Sequence, residues 1–175
     1  MMKANEPFEW EEWMKNKKIW LFSMILLIAV SLMIFIFSAQ NGEKSALFSE
    51  HFTENFVHLF GITDVDAGKA EHFLRKTAHF AEFFLLGALL SAWLFHFKKG
   101  FLFTGMLSFG ISFAYAVLDE GHQYFIPGRS ASVKDVLLDG AGALCGIFFA
   151  LCLRFLIGKY QEKRKNVNLP YEDKQ

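Results

Sequence analysis

The chain has 175 residues, 53% of them hydrophobic, and its 18 basic and 18 acidic side chains give a formal net charge of zero. This balance, without any basic recognition motif, excludes the general attraction to phosphates that nucleic-acid-binding proteins use, so no nucleic-acid partner is expected. The hydrophobic residues occur in long blocks, which indicates a protein that spans a membrane rather than one with a soluble core.

Four apolar blocks are long enough to cross a bilayer. Residues 19–37 contain no charged side chain, and a helix of that length extends roughly 28 Å at about 1.5 Å per residue. Three further blocks, at 77–97, 101–118 and 136–157, contain few charged side chains. The sequence therefore predicts an all-α, polytopic membrane protein with four transmembrane helices.

The segment between the first two predicted spans has a pattern of its own. Phe48, Phe52, Phe56 and Phe60 recur at four-residue steps. Side chains with this spacing lie on one face of a helix, so the segment predicts an amphipathic helix. We expect this helix to lie on the outer leaflet or to cover the helical bundle.

The distribution of basic residues predicts the orientation in the membrane. With four spans, the N-terminus, the 98–99 loop and the C-terminus lie on one side, which carries eleven Lys and Arg against six on the other. Basic residues prefer the cytoplasmic side, so both termini are expected in the cytoplasm. The chain then divides into a cytoplasmic juxtamembrane segment at 1–18, a four-helix transmembrane domain at 19–158 and a cytoplasmic tail at 159–175.

Three of the predicted helices carry a row of polar side chains on one face, concentrated towards the outer end. The steps of three or four residues within each row, apart from the adjacent pair Arg75 and Lys76, place its members on one side of a helix. The second helix carries His72, Arg75, Lys76, His79 and Glu82. The third helix carries Ser108, Ser112, Tyr115, Asp119 and His122. The fourth carries Asp135 and Asp139, then Gly142 and Gly146 in the sequence GALCG, a spacing typical of closely packed membrane helices.

The stretch DEGHQYFIPGR, residues 119–129, connects the third predicted helix to the fourth. Pro127 and Gly128 fit the two central positions of a type II β-turn, and Ser132 fits the N-cap of the next helix. A tight antiparallel hairpin would bring the ionisable residues of this stretch close to Asp135 and Asp139. Ionisable groups at membrane depth usually face a cavity or one another, so we expect one polar pocket that opens outward.

Three motifs resemble the VanZ-like family of bacterial membrane proteins. They are FSAQ, RKTAHFAEF and DEGHQYFIPGRSASVKDVLLDGAGALCG, and from the first to the last they span residues 37–146. The family often has Tyr where this chain has Phe83, and Asn where it has Asp139. The resemblance implies a small multi-helix protein of the bacterial cytoplasmic membrane and cell envelope. It also implies a link to antibiotic resistance, because the founding member is associated with low-level resistance to teicoplanin, a lipid-bearing glycopeptide.

The residues themselves suggest a site for an anionic, lipid-linked ligand. Arginine and lysine hold phosphate or carboxylate groups, and a carboxylate beside a histidine can serve as a general acid or base. The predicted catalytic residues are Asp119, Glu120 and His122. The predicted ligand-binding residues are Arg75, Lys76, His79, Glu82, Gln123, Arg129, Asp135 and Asp139. The expected partners are membrane lipids, a lipid-linked cell-wall precursor or a lipoglycopeptide.

Two other classes of function stay open at this stage. The chain could be a membrane enzyme that acts on a lipid or cell-wall precursor, although it contains no G-x-S-x-G or H-E-x-x-H signature. A divalent metal such as zinc could be bound by His79, Glu82, Asp119, Glu120 and His122 together. Their spacing permits such a site without being diagnostic of it, so no metal ligand and no cofactor is assigned. Alternatively, the polar residues could form a non-catalytic network that stabilises the helices or an interaction surface.

Overall fold

The computed structural model describes residues 10–40, 67–97 and 100–168 of the chain. These residues form four helices: α1 (Trp10–Ser38), α2 (Ala67–Leu94), α3 (Phe101–Gln123) and α4 (Val133–Asn168). A short 3-10 helix, Phe95–Phe97, follows α2. The described part of the chain contains no β-strand, which confirms the prediction of an all-α protein. The predicted amphipathic helix at residues 48–60 lies outside the described residues.

Each of the four helices contains a stretch that is long and apolar enough to cross a membrane. The stretches are Lys17–Ser38, Gly68–Phe97, Phe101–Gln123 and Val133–Tyr160. The helices extend beyond the apolar blocks of the sequence, because a block ends where charged side chains begin, whereas the backbone hydrogen bonds of a helix continue through them. Residues 119–123 and 133–135, outside the predicted blocks, are therefore helical.

The most extensive helix contact is between α2 and α4. It depends on three glycines, Gly87 of α2 and Gly142 and Gly146 of α4, where an added Cβ would overlap a backbone carbonyl oxygen of the opposite helix. At Gly142 and Gly146 the overlapped carbonyls belong to Phe80 and Phe84. The predicted role of GALCG in close helix packing is confirmed, and the partner of this motif is α2 of the same chain.

The buried apolar residues form a small core between the helices. This core contains Val30, Ile34, Phe83, Leu86, Ala116 and Ala143. Many other large apolar side chains point outward, for example Leu102 and Phe148, which are 77% and 69% exposed. Such an exposed apolar surface is expected where helices face lipid, because lipid tails do not drive apolar side chains inward as water does.

The connection between α3 and α4 is the predicted turn. The Arg129 backbone N–H donates to the Ile126 carbonyl at 3.1 Å, and Gly128 has a φ of 78°. A positive φ at the third position is the defining feature of a type II turn and explains the glycine there. The Ser132 hydroxyl accepts a hydrogen bond from the Lys134 N–H at 3.2 Å and so caps α4, as predicted.

Candidate functional site

The polar rows of α2, α3 and α4 meet beside the turn that joins α3 to α4. We call this group of side chains the polar cluster. It comprises Arg75, Lys76, His79, Glu82, Asp119, Glu120, Gln123, Arg129, Asp135 and Asp139. Ten of the eleven side chains predicted to form the site therefore lie together. The exception is His122.

An ion pair joins α2 to the first turn of α4. Lys76 Nζ donates to a carboxylate oxygen of Asp135, and both side chains are about one-quarter exposed, at 28% and 26%. In a typical capping box, a carboxylate at the position of Asp135 accepts from the N–H of the N-cap residue. Here Glu120 of α3 does so instead, because its Oε2 accepts from the Ser132 N–H at 2.9 Å. Glu120 therefore links the end of α3 to the start of α4 through this hydrogen bond.

A chain of hydrogen bonds connects α3 to the turn and to α1. The Gln123 amide nitrogen donates to Asp119 Oδ2 at 2.9 Å, and the Gln123 oxygen accepts from the Arg129 guanidinium at 3.1 Å. The guanidinium also donates to the Phe37 backbone carbonyl at 3.3 Å. The Phe37 carbonyl and the Ser132 amide are part of this arrangement, but they are backbone groups, so no residue type in the sequence marks them.

Three potential metal ligands lie together at the inner part of the polar cluster. One ligand atom from each of His79, Asp119 and Asp139 is within 4.8 Å of the other two. Asp139 is only 1% exposed, and neither of its carboxylate oxygens has a hydrogen-bond partner among the described residues. Glu82 lies beside this group, with its Oε2 3.8 Å from His79 Nδ1.

The ring of His122 lies outside the polar cluster, although its position in the polar row predicted otherwise. It stacks on Phe35 of α1, with ring centroids 5.0 Å apart. Its Nδ1 is buried and has no hydrogen-bond partner in the described part of the chain. His122 follows Asp119 by three residues, which rotates it by about 60° around the helix axis and turns it towards α1. The acid–base roles of Asp119, Glu120 and His122 stay predictions.

Arg129, the last residue of the turn between α3 and α4, has a distinctive electrostatic environment. Burial lowers the pKa of its guanidinium, and the nearby Arg75 lowers it further. The carboxylates of Asp119, Glu120 and Glu82 act in the opposite direction, but none of them has as large an effect on the pKa as Arg75 has. Arg75 and the carboxylates of Asp119, Glu120 and Glu82 are thus all near enough to Arg129 to influence its pKa.

Comparison with known proteins identifies one family. A family model described as VanZ/LLP1 matches residues 21–155, which is more than three quarters of the chain and includes every residue of the polar cluster. A search of the curated proteins and a search of the solved structures give no significant match.

Proposed function

Because the chain belongs to the VanZ/LLP1 family and forms four helices of membrane-spanning length, we propose that it is a binding protein of the bacterial cell envelope. In this proposal the polar cluster takes the anionic head group of a lipid or of a lipid-linked molecule. Both termini are cytoplasmic, and the end of the bundle that carries the polar cluster faces outward, in keeping with the distribution of basic residues.

The observation that carries the proposal is that Arg75 acts electrostatically on the partly buried Arg129. Two like charges that are partly removed from water repel each other, and an anion between them relieves that repulsion. A guanidinium also offers paired N–H donors that match two oxygens of a phosphate or carboxylate. Lys76 is less suited to this role than the sequence suggested, because it is already paired with Asp135.

The position of the two arginines favours a lipid over a soluble anion. Arg129 closes the turn between two stretches that are long and apolar enough to span a membrane, and Arg75 is one residue before Lys76, which contacts the first turn of α4. In this proposal the arginines lie at the level of the phospholipid phosphates, and the apolar outer surfaces of the helices continue from there into the membrane. Lipid-linked cell-wall precursors present phosphate groups at the same level.

Lipid binding by the purified chain tests this proposal. The protein in a neutral detergent is titrated with phosphatidylglycerol or, for comparison, with phosphatidylcholine, and bound lipid is counted by native mass spectrometry. We expect a preference for phosphatidylglycerol that falls at least tenfold in Arg75→Gln. Lys134→Gln removes the same charge from an exposed position at the same end of the bundle and should keep the preference. Equal binding of the two lipids by the unmodified chain would refute the proposal.

A lipoglycopeptide is a second possible ligand of the same site, since teicoplanin combines a lipid tail with ionisable groups. The unmodified chain, an empty vector and Arg75→Gln are compared in a sensitive Gram-positive host exposed to teicoplanin or vancomycin. Protection against teicoplanin that requires Arg75 would extend the proposal to this drug. Protection that is the same with Arg75→Gln would show that the arginine pair is not responsible.

A further inference from the structure

The most unusual group in the described part of the chain is the Asp139 carboxylate. It is 1% exposed, lies within a membrane-spanning stretch and has no hydrogen-bond partner for either oxygen among the described residues. A carboxylate removed from water in this way is costly unless a partner compensates it. Two other potential metal ligands lie beside Asp139, since one ligand atom each of His79 and Asp119 is within 4.8 Å of its carboxylate.

Two of the three cationic side chains of the polar cluster contact groups other than Asp139. Lys76 pairs with Asp135, and Arg129 donates to Gln123 and to the Phe37 carbonyl. The polar cluster as a whole contains five carboxylates and three Lys or Arg side chains, so two negative charges exceed the positive ones when all these groups are ionised. A divalent cation between Asp119 and Asp139 would balance that difference.

We propose that His79, Asp119 and Asp139 bind a divalent transition-metal ion. An imidazole with two carboxylates is a common ligand set for zinc, manganese and iron, and three protein ligands leave a further position for water or for an oxygen of a bound molecule. Ligand atoms around a tetrahedral zinc lie about 3.3 Å apart, because each metal–ligand distance is about 2.0 to 2.2 Å. The three ligand atoms need only a small inward movement to reach that distance.

Neighbouring side chains are placed to orient two of the three ligands, Asp119 and His79, as the surroundings of metal sites usually do. Ligating carboxylates are usually fixed by hydrogen bonds, and a ligating histidine usually has a carboxylate at its second ring nitrogen. Asp119 accepts from Gln123, which is itself held by Arg129. Glu82 lies 3.8 Å from His79 Nδ1 and is placed to be the carboxylate partner of that ring.

Zinc binding by the purified full-length chain tests the proposal without any lipid ligand. The protein in detergent is freed of metal with a chelator and then dialysed against Zn²⁺. The amount of metal per chain is measured by inductively coupled plasma mass spectrometry. We expect one zinc per chain, with at least tenfold weaker binding in His79→Ala and in Asp139→Asn. The matched control is His72→Ala, which removes an exposed histidine seven residues earlier on α2 and should bind zinc as the unmodified chain does.

A second measurement identifies the ligands and guards against a folding defect. Co²⁺ in place of zinc gives visible absorption bands whose position reports nitrogen and oxygen ligands, and these bands should be absent from monodisperse Asp139→Asn. Asp139→Asn keeps the shape of the side chain, so the variant is expected to remain folded. The proposal is overturned if the unmodified chain binds neither Zn²⁺ nor Mn²⁺ stoichiometrically. It is also overturned if Asp139→Asn binds as well as the unmodified chain, as expected if Asp119 and Asp139 merely share a proton.

Discussion

The contact between α2 and α4 predicts that one methyl group at Gly146 destabilises the whole bundle. A Cβ at this position would lie 2.8 Å from the carbonyl carbon of Phe84, whereas carbon atoms in good contact are about 3.5 to 4.0 Å apart. The carbonyl oxygen of Phe84 would lie closer still, so the two backbones would have to separate by at least about 0.7 to 1.2 Å. A gap of that size removes about a quarter to a half of the dispersion energy along the contact. Overpacking of this kind typically costs about 1 to 3 kcal/mol.

Thermal unfolding in detergent, followed by tryptophan fluorescence, measures this effect for Gly146→Ala. A cost of about 1 to 3 kcal/mol corresponds to a midpoint lower by roughly 3 to 9 °C for a chain of this size. Gly158→Ala on the same helix is the control, because a Cβ there meets nothing within 4 Å. Alanine is a better helix former than glycine by about 0.5 to 1 kcal/mol, so the control should be slightly more stable. Equal midpoints for the two variants would refute the argument from close packing.

Three further predictions concern the contacts between helices. Tyr115→Phe removes the hydrogen bond that the phenol of α3 donates to the Ser31 carbonyl of α1 at 2.7 Å. The free energy of unfolding should fall by about 1 kcal/mol in the same assay. An unchanged midpoint would mean that this bond adds no stability. Glu120→Ala leaves the Ser132 N–H without its acceptor and should cost about 1 to 3 kcal/mol, whereas Glu120→Gln, which still offers an oxygen, should cost less. A double-mutant cycle with Lys76→Ala and Asp135→Ala should give a favourable coupling energy, and additive effects would show that the ion pair adds no stability.

Much of the site could be predicted because its determinants are local in the sequence. The rows of polar side chains follow from the period of the helix, and the Pro127–Gly128 turn follows from the backbone conformation that only a few residue types adopt. The turn brings α3 and α4 together, and the glycines of GALCG bring α2 against α4. Ten of the predicted side chains therefore appear in the polar cluster.

The partners within the polar cluster could not be predicted, because they depend on how each helix is rotated and how closely it packs. A carboxylate at the position of Asp135 can accept from the N–H of the N-cap residue Ser132, but Asp135 pairs with Lys76 of α2, and Glu120 of α3 accepts from that N–H instead. The 60° between Asp119 and His122 decides which neighbour each side chain meets. The sequence position of Asp139 is equally compatible with a Lys or Arg partner. Only the packing of the helices shows that it lies beside His79 and Asp119.

The proposed function depends most on the polar cluster facing the outside of the cell. Single cysteines at Ser130 and Lys163, two exposed positions beyond opposite ends of the last membrane-spanning stretch, are introduced after replacement of Cys145 and Cys152 by alanine. Intact cells are then treated with a membrane-impermeant maleimide. We predict that Ser130→Cys reacts in intact cells and that Lys163→Cys reacts only after permeabilisation. The reverse pattern would place the polar cluster on the cytoplasmic side and contradict the proposed function.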